Sequence, residues 1–312
     1  MNVLVTGGAG FIGSHVVDAL LRAGHAVSVI DDLSTGLAEN LAAAWESGLT
    51  DADLHVVDIA SPEAAEVMGR VRPEAVLHLA AQPSVSVSMR DPRFDAHSNL
   101  TGLLNVLVAA REAGTRKVVF ASSGGTIYGE PQAGDLPLRE DSPQAPRSFY
   151  GLSKKAGGEY VRLFAEEHGM AYACLALGNV YGPRQNPQGE AGVIAIFAAR
   201  LLEGRPCLVF GDGHNTRDYV YVDDVADAFV RALDRGTGLI NVGTGVETSV
   251  LDIHAALTKA LDSDAAPHHE PALPGEVRRT YLSVDRAARD LDWRPRVGLE
   301  DGIPRVIDAL RG

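Results

Sequence analysis

Gly7, Gly10 and Gly13 recur at three-residue spacing in Thr6-Gly-Gly-Ala-Gly-Phe-Ile-Gly13, a stretch that leaves the chain few folds to adopt. An apolar run with strand character, Asn2-Val-Leu-Val-Thr6, precedes it, and Phe11 to Ala23 reads as a helix closed by Gly24. In such a strand–turn–helix the first glycine permits the tight turn and the second lets backbone approach a pyrophosphate. The third lets helix and strand pack closely. The first helical turn, with Phe11 and Ile12, then offers unpaired N–H groups and the positive end of the helix dipole to phosphate.

The residues that follow extend one sheet. Ala26 to Ile30 is a second strand ending in Asp31, an acidic residue at the separation from the glycines where a carboxylate binds adenosine ribose hydroxyls. No arginine follows in Asp31-Asp32-Leu-Ser34-Thr-Gly36, and the carboxylates repel a 2′-phosphate, so the expected dinucleotide is NAD rather than NADP. Leu54 to Asp58 is a third strand, with Asp58 and Ile59 placed to meet the adenine. Ala75 to Leu79 is a fourth, opening into Ala80-Ala81-Gln82-Pro, whose small residues let backbone lie against a cofactor. His78 within it reads as a buried structural histidine. Lys117 to Ala121 and Ala171 to Leu177 are the fifth and sixth strands, and the alternation with helices specifies a parallel sheet covered on both faces.

At Gly178 the pattern changes. A polar loop (183–192), a short strand (206–210), a helix (222–235) and a strand returning to the main sheet (239–242) follow, then helices near 249–262, 285–291 and 299–311. The expected architecture is α/β: a Rossmann-type doubly wound parallel sheet with a smaller, discontinuous α/β substrate-binding lobe. The sheet domain takes residues 1–178 and about 219–243, and the lobe about 179–218 and 244–312.

Tyr150-Gly-Leu-Ser-Lys154 supplies chemistry that the glycine turn lacks. On a helix, positions i and i+4 share a face, so the phenol and the ammonium point the same way. A free tyrosine titrates near ~10 and is a poor base at neutral pH. A neighbouring ammonium and a cationic nicotinamide lower that value. The phenolate then accepts a hydroxyl proton as hydride leaves the same carbon. The fifth strand ends at Ser122-Ser123-Gly-Gly-Thr126, where Ser123 or Thr126 can hydrogen-bond the reacting oxygen and Ser122 is a third candidate. Together these residues point to redox chemistry at an alcohol carbon.

At this point the chain resembles the extended short-chain dehydrogenase/reductase family of nucleotide-sugar enzymes, most closely the UDP-glucose (UDP-galactose) 4-epimerases. The resemblance runs nearly end to end. It rests on Thr6-Gly-Gly-Ala-Gly-Phe-Ile-Gly-Ser14, Asp31-Asp-Leu-Ser-Thr-Gly36, His78-Leu79-Ala-Ala-Gln82, Asn99, Tyr150-Gly-Leu-Ser-Lys154, Gly178-Asn-Val-Tyr-Gly-Pro-Arg-Gln185 and Thr216-Arg-Asp-Tyr-Val-Tyr-Val-Asp-Asp224. It implies a redox cycle without net oxidation, in which Tyr150 takes the proton of the sugar 4-hydroxyl, the 4-keto sugar turns over, and NAD remains bound. It also implies that Asn179, Arg217 and Tyr219 contact the nucleotide, that Asn99 lies near cofactor and sugar, and that the enzyme is a homodimer through two helices around 97–113 and 151–168.

Three departures bear on the site. The family's catalytic hydroxyl usually lies four residues before the tyrosine that closes the fifth-strand segment, and counting back from Tyr128 reaches Gly124. Leu273 stands where the family often has a phosphate-binding arginine, with Arg278 as a substitute, and Leu175-Ala-Leu-Gly178 lacks a common arginine and aromatic. By resemblance, Thr280 occupies the position whose bulk excludes N-acetylated sugars, so UDP-GlcNAc is an expected further substrate. Gly125 and Thr126 replace the Asp-Glu pair of sugar 4,6-dehydratases, which argues against elimination of water. The rivals are an epimerase or decarboxylase acting on UDP-glucuronate, and a noncatalytic NAD-binding regulator.

Composition sets the outer limits. A net charge of −13 disfavours nucleic acid as partner, because phosphate contacts need a basic face. Cys174 and Cys207 lie in apolar strand-like stretches and read as buried thiols. No apolar run reaches membrane-spanning length and no signal peptide is evident, so the cytoplasm is expected, without membrane attachment. His268-His269-Glu270 reads as a solvated loop without ligand spacing, and no metal is expected.

Overall fold

The computed structural model describes residues 1–132, 134–188, 192–272 and 277–311. Seven parallel strands build the main sheet. They are β1 (Asn2–Thr6), β2 (Ala26–Asp31), β3 (Leu54–Val56), β4 (Ala75–His78), β5 (Lys117–Ser123), β6 (Ala171–Leu177) and, after four short strands outside this sheet, β11 (Gly238–Val242). Their spatial order is β11-β6-β5-β4-β1-β2-β3. The order reverses between β1 and β4, so the loops leaving those two strands diverge and open a crevice at the carboxyl edge.

Every central strand is apolar on both sides, because both sides are covered. Val3 and Val5 of β1, Leu77 of β4 and Val119 of β5 pack against α1 (Phe11–Arg22) and α9 (Val222–Ala232), through Val17, Leu20 and Phe229. Leu4, Val76, Val118 and Phe120 face the other way. They meet Met68 of α3 (Pro62–Val71), Leu103 and Leu107 of α6 (Gly102–Ala113) and Val161 of α7 (Phe149–His168). The α7 boundaries are chemically marked: the Ser148 hydroxyl accepts from the Gly151 N–H at 3.1 Å, and left-handed Gly169 closes the helix.

Short helices fill the remaining connections of this half: α2 (Ala42–Glu46), α4 (Val85–Arg90) and α5 (Pro92–Ala96). The second half pairs β7 (Asn179–Tyr181) with β10 (Tyr219–Tyr221), β8 (Leu208–Phe210) with β13 (His268–Glu270), and β9 (Thr216–Arg217) with β12 (Thr248–Ser249). Around them α8 (Val193–Leu202), α10 (Val250–Ala260) and α12 (Leu299–Arg311) bury a separate cluster centred on Tyr181, Phe197, Ile253 and Ile303. The small helix α11 (Asp285–Asp290) and Trp293 join the core under α9, where the indole N–H donates to the Asp224 carbonyl at 2.8 Å.

Three local expectations need correction. The third strand stops at Val56, and Asp58 lies beyond it in a turn, accepting from the Ala60 N–H at 2.8 Å. Residues 97–113 are not one regular helix: a π-helical turn, His97–Thr101, precedes α6 and carries the buried Asn99. His268-His269-Glu270 is not a loop but the strand β13, held parallel to β8. No group of three metal-ligating side chains is found among the described residues, and none of their helices is long and apolar enough to cross a membrane.

Candidate active site

The crevice floor is the glycine turn. Gly7 has φ 71°, and a Cβ there would lie 2.6 Å from the Ala80 N atom, so the loop after β4 rests directly on the turn. A Cβ at Gly13 would lie 1.9 Å from the Gly7 carbonyl oxygen, which is the close helix–strand packing the spacing predicts. Gly10 begins α1 with no side-chain cap, leaving the first-turn N–H groups at Phe11 and Ile12 for a ligand. At the end of β2 the Asp31 carboxylate is buried and accepts from the N–H groups of Ala9 and Leu33, both at 2.9 Å. Burial is the chief influence on this carboxyl and raises its pKa. Asp32 turns outward and accepts from Ser34, and Gly36 lies against Asp31, where a Cβ would come within 2.8 Å of the carboxylate. A side-chain-free turn, an uncapped helix start and a fixed carboxylate are the features a dinucleotide requires, and NAD fits them.

The wall is the loop after β4. Leu79, Ala80 and Ala81 are partly exposed, whereas Gln82 is buried. The Asn99 carboxamide brackets the Gln82 peptide, accepting from its N–H at 2.9 Å and donating to its carbonyl at 3.1 Å. Ile59 sends its side chain into the core against Gly102. His78 is buried, shares a 2.8 Å hydrogen bond with Thr6, and is held neutral by burial, its pKa lowered to about 3.

Opposite lies the β5 end. The Ser123 hydroxyl acts on the Tyr150 phenol, and Lys154, one turn further along α7, is buried and donates to the Ala121 carbonyl at 2.9 Å. Burial dominates both groups. It pushes Tyr150 up to about 12, with the Ser123 hydroxyl drawing it back, and lowers Lys154 to about 8. Tyr150 in the protein alone is therefore a weak acid, and added positive charge at its face is what makes it a base. Ser122 turns away, toward the Lys154 carbonyl at 3.5 Å. Gly124 supplies no hydroxyl, and a Cβ there would lie 2.6 Å from Leu282 Cδ1 and 3.0 Å from the Ala176 carbonyl oxygen. The Thr126 Oγ1 is buried without a protein partner.

Further along the crevice, the Asn179 side chain reaches Gly125, a Cβ on which would lie 3.3 Å from its Oδ1. Arg217 donates to the Thr216 carbonyl at 2.8 Å, and Tyr219 is buried beside it in the chain. Thr280 is buried with its Oγ1 unpartnered, and its N–H donates to the Thr216 carbonyl at 3.2 Å. Arg278 stands apart: its exposed guanidinium pairs with Asp212 at 2.9 Å. Leu273-Pro-Gly-Glu276 lies outside the described residues.

Sequence reading missed Asp95 and Ser153. Asp95 is fully buried on α5 and accepts from Gln82 at 3.0 Å, Asn99 at 2.9 Å and Ser153 at 2.6 Å. Its four-residue separation from Asn99, on the same helical stretch, was the available signal.

Residues 3–243 match the NAD dependent epimerase/dehydratase family. The chain belongs to that family. It is 46% identical over 313 residues to the UDP-glucose 4-epimerase of Mycolicibacterium smegmatis, covering 100% of this chain and 99% of that protein. Among solved structures, a Thermotoga maritima UDP-glucose 4-epimerase with UDP-glucose superposes with a TM-score of 0.94 at 42% identity, covering 100% of this chain and 99% of that one. A Thermus thermophilus UDP-glucose 4-epimerase in complex with NAD gives 0.92 at 43% identity, with the same coverage.

Proposed function

We propose that the chain is an NAD-dependent nucleotide-sugar 4-epimerase that interconverts UDP-glucose and UDP-galactose through a transient 4-keto sugar. The observation that carries this reading is Tyr150 acted on by the Ser123 hydroxyl from the end of β5, with the Lys154 ammonium 5.9 Å from its ring centre. Bound NAD supplies a hydride acceptor and donor. The Tyr150 oxygen takes the proton of the sugar 4-hydroxyl and later returns it. Ser123 holds the same oxygen as alcohol or ketone, and the orphaned Thr126 hydroxyl offers a second donor. Lys154 keeps positive charge under the phenol, its Nζ 5.9 Å from the ring centre.

In this reading residues 1–178 and about 219–243 hold NAD, and about 179–218 with 244–312 hold the nucleotide sugar. Asn179, Arg217 and Tyr219 grip the nucleotide, with Arg278 reaching its phosphates once released from Asp212. The small Thr280 leaves room for a 2-acetamido group, so UDP-GlcNAc competes with UDP-glucose; absence of both turnover and competition would refute that extension. An exposed apolar stripe on α7, with Leu152 at 51%, Tyr160 at 45% and Leu163 at 51% exposure, supports a homodimer through this helix. Two buried free thiols are consistent with a reducing cytoplasm, which cell fractionation checks.

Tyr150→Phe tests the chemistry. Turnover of UDP-galactose should fall by at least about a thousandfold with NAD still bound, and Ser123→Ala should lose about a hundredfold. Tyr150→Phe with near wild-type turnover would end this reading.

A further inference from the structure

Resting on that catalytic reading, we propose that Asp95 is a positioning residue: it ties the catalytic helix to the cofactor wall and sets a buried negative charge beside the Ser153-Lys154 step of that helix. The carboxylate is divided between two tasks. Its Oδ1 receives the side-chain amides of Gln82 and Asn99, at 3.0 and 2.9 Å, and Asn99 in turn brackets the Gln82 peptide. Its Oδ2 receives the Ser153 hydroxyl at 2.6 Å, from the residue immediately before Lys154. The loop after β4 rests on the Gly7 turn, so this one side chain joins the surface that faces NAD to the helix that carries Tyr150.

Asp95 and its three partners are nearly sealed from solvent, with exposures of 0% for Asp95, 3% for Asn99, 8% for Gln82 and 5% for Ser153. Burying a carboxylate in such a place is costly unless hydrogen bonds and an opposite charge accompany it. Hydrogen bonds come from three donors. The opposite charge is Lys154, which the carboxylate favours as ammonium against the effect of burial. Other groups cannot substitute. Lys154 faces His78 of β4, which burial keeps neutral, and Tyr150 of its own helix, which is protonated in the protein alone. The remaining neighbours, the Phe120 ring at 5.0 Å and the Ala121 carbonyl, carry no formal charge.

The chain has only four lysines, Lys117, Lys154, Lys155 and Lys259. The Cε resonances of carbon-13 lysine-labelled holoenzyme can therefore be followed individually across pH, with Lys154→Met giving the assignment. Lys154 should titrate well below the ordinary lysine range in the wild type, because it is buried. In Asp95→Asn its midpoint should fall by about one pH unit, since a lost negative charge disfavours the ammonium. The alkaline limb of kcat should move down with it, and kcat should drop by about tenfold while KM for UDP-galactose stays within about threefold. Asp95→Glu, which keeps the charge on a longer arm, should leave the midpoint in place and still lose kcat.

An unmoved Lys154 midpoint in Asp95→Asn would overturn the proposal, as would an equal movement in Asp95→Glu. If Asp95→Asn does not fold, Ser153→Ala decides. An undiminished kcat there would overturn the positioning role, and about a tenfold loss at an unmoved midpoint would support it. Because the midpoint is read without substrate, a wild type inactive on UDP-galactose would count against the epimerase reading, while the Lys154 midpoint still tests the charge of Asp95 by itself.

Discussion

At the scale of single residues, burial decides most of the chemistry in this crevice. Tyr150, Lys154 and His78 all lose their ordinary titration behaviour because water is kept from them, and the direction differs with the sign of the charged form. His78 gives a measurable consequence. Its pKa is about 3 when folded against 6.5 for the free side chain, so between those values the unfolded chain binds the extra proton. The stability contributed by the neutral ring is complete above pH 6.5 and is lost as pH falls through that window. Thermal melts between pH 4 and 7 should show a steep decline that flattens in His78→Gln; equal slopes would contradict the assignment. The tyrosine–lysine pair was legible from its spacing together with its place after the fifth strand and the glycine turn, because four residues on a helix share a face. The hydroxyl partner was not, since Gly124 occupies the expected position. Leu282 and the Ala176 carbonyl crowd that glycine, and only the fold shows Ser123 as the neighbour that acts on Tyr150.

At the scale of elements, the βαβ unit at the chain start carries the cofactor prediction. Gly13→Ala places a methyl group 1.9 Å from the Gly7 carbonyl, and that backbone cannot move without opening the turn onto which Ala80 packs. Stability should fall by about 1–3 kcal/mol and NAD should no longer copurify. Full NAD content after acid release, with an unchanged melting temperature, would contradict this account of the turn. The main-sheet strands were visible in sequence because each is a short apolar run between turn signals. The paired short strands of the second half were not: β7, β9 and β12 are three, two and two residues long, and nothing in two residues distinguishes a strand from a loop. Asp95 was missed for a related reason. A lone aspartate in a polar stretch looks solvated until the π-helical turn carrying Asn99 and the helix carrying Ser153 close over it.

At the scale of the whole molecule, two surfaces meet on α7. Its inner face carries Lys154 and Ser153 to the crevice, and its outer face leaves Leu152, Tyr160 and Leu163 about half exposed. If that stripe joins two copies, Leu163→Asp should convert a dimer to a monomer in light scattering; a wild type already monomeric would remove the dimer from the account. A helix shared between interface and active site should also pass the loss of a partner on to turnover. The central claim remains the inversion at C4 by a protein that retains its own cofactor. The most direct test is to incubate purified protein with UDP-galactose, without added NAD, and follow the sugar anomeric signals by NMR. The account predicts steady conversion to UDP-glucose. No conversion, even after NAD is supplied, would contradict it.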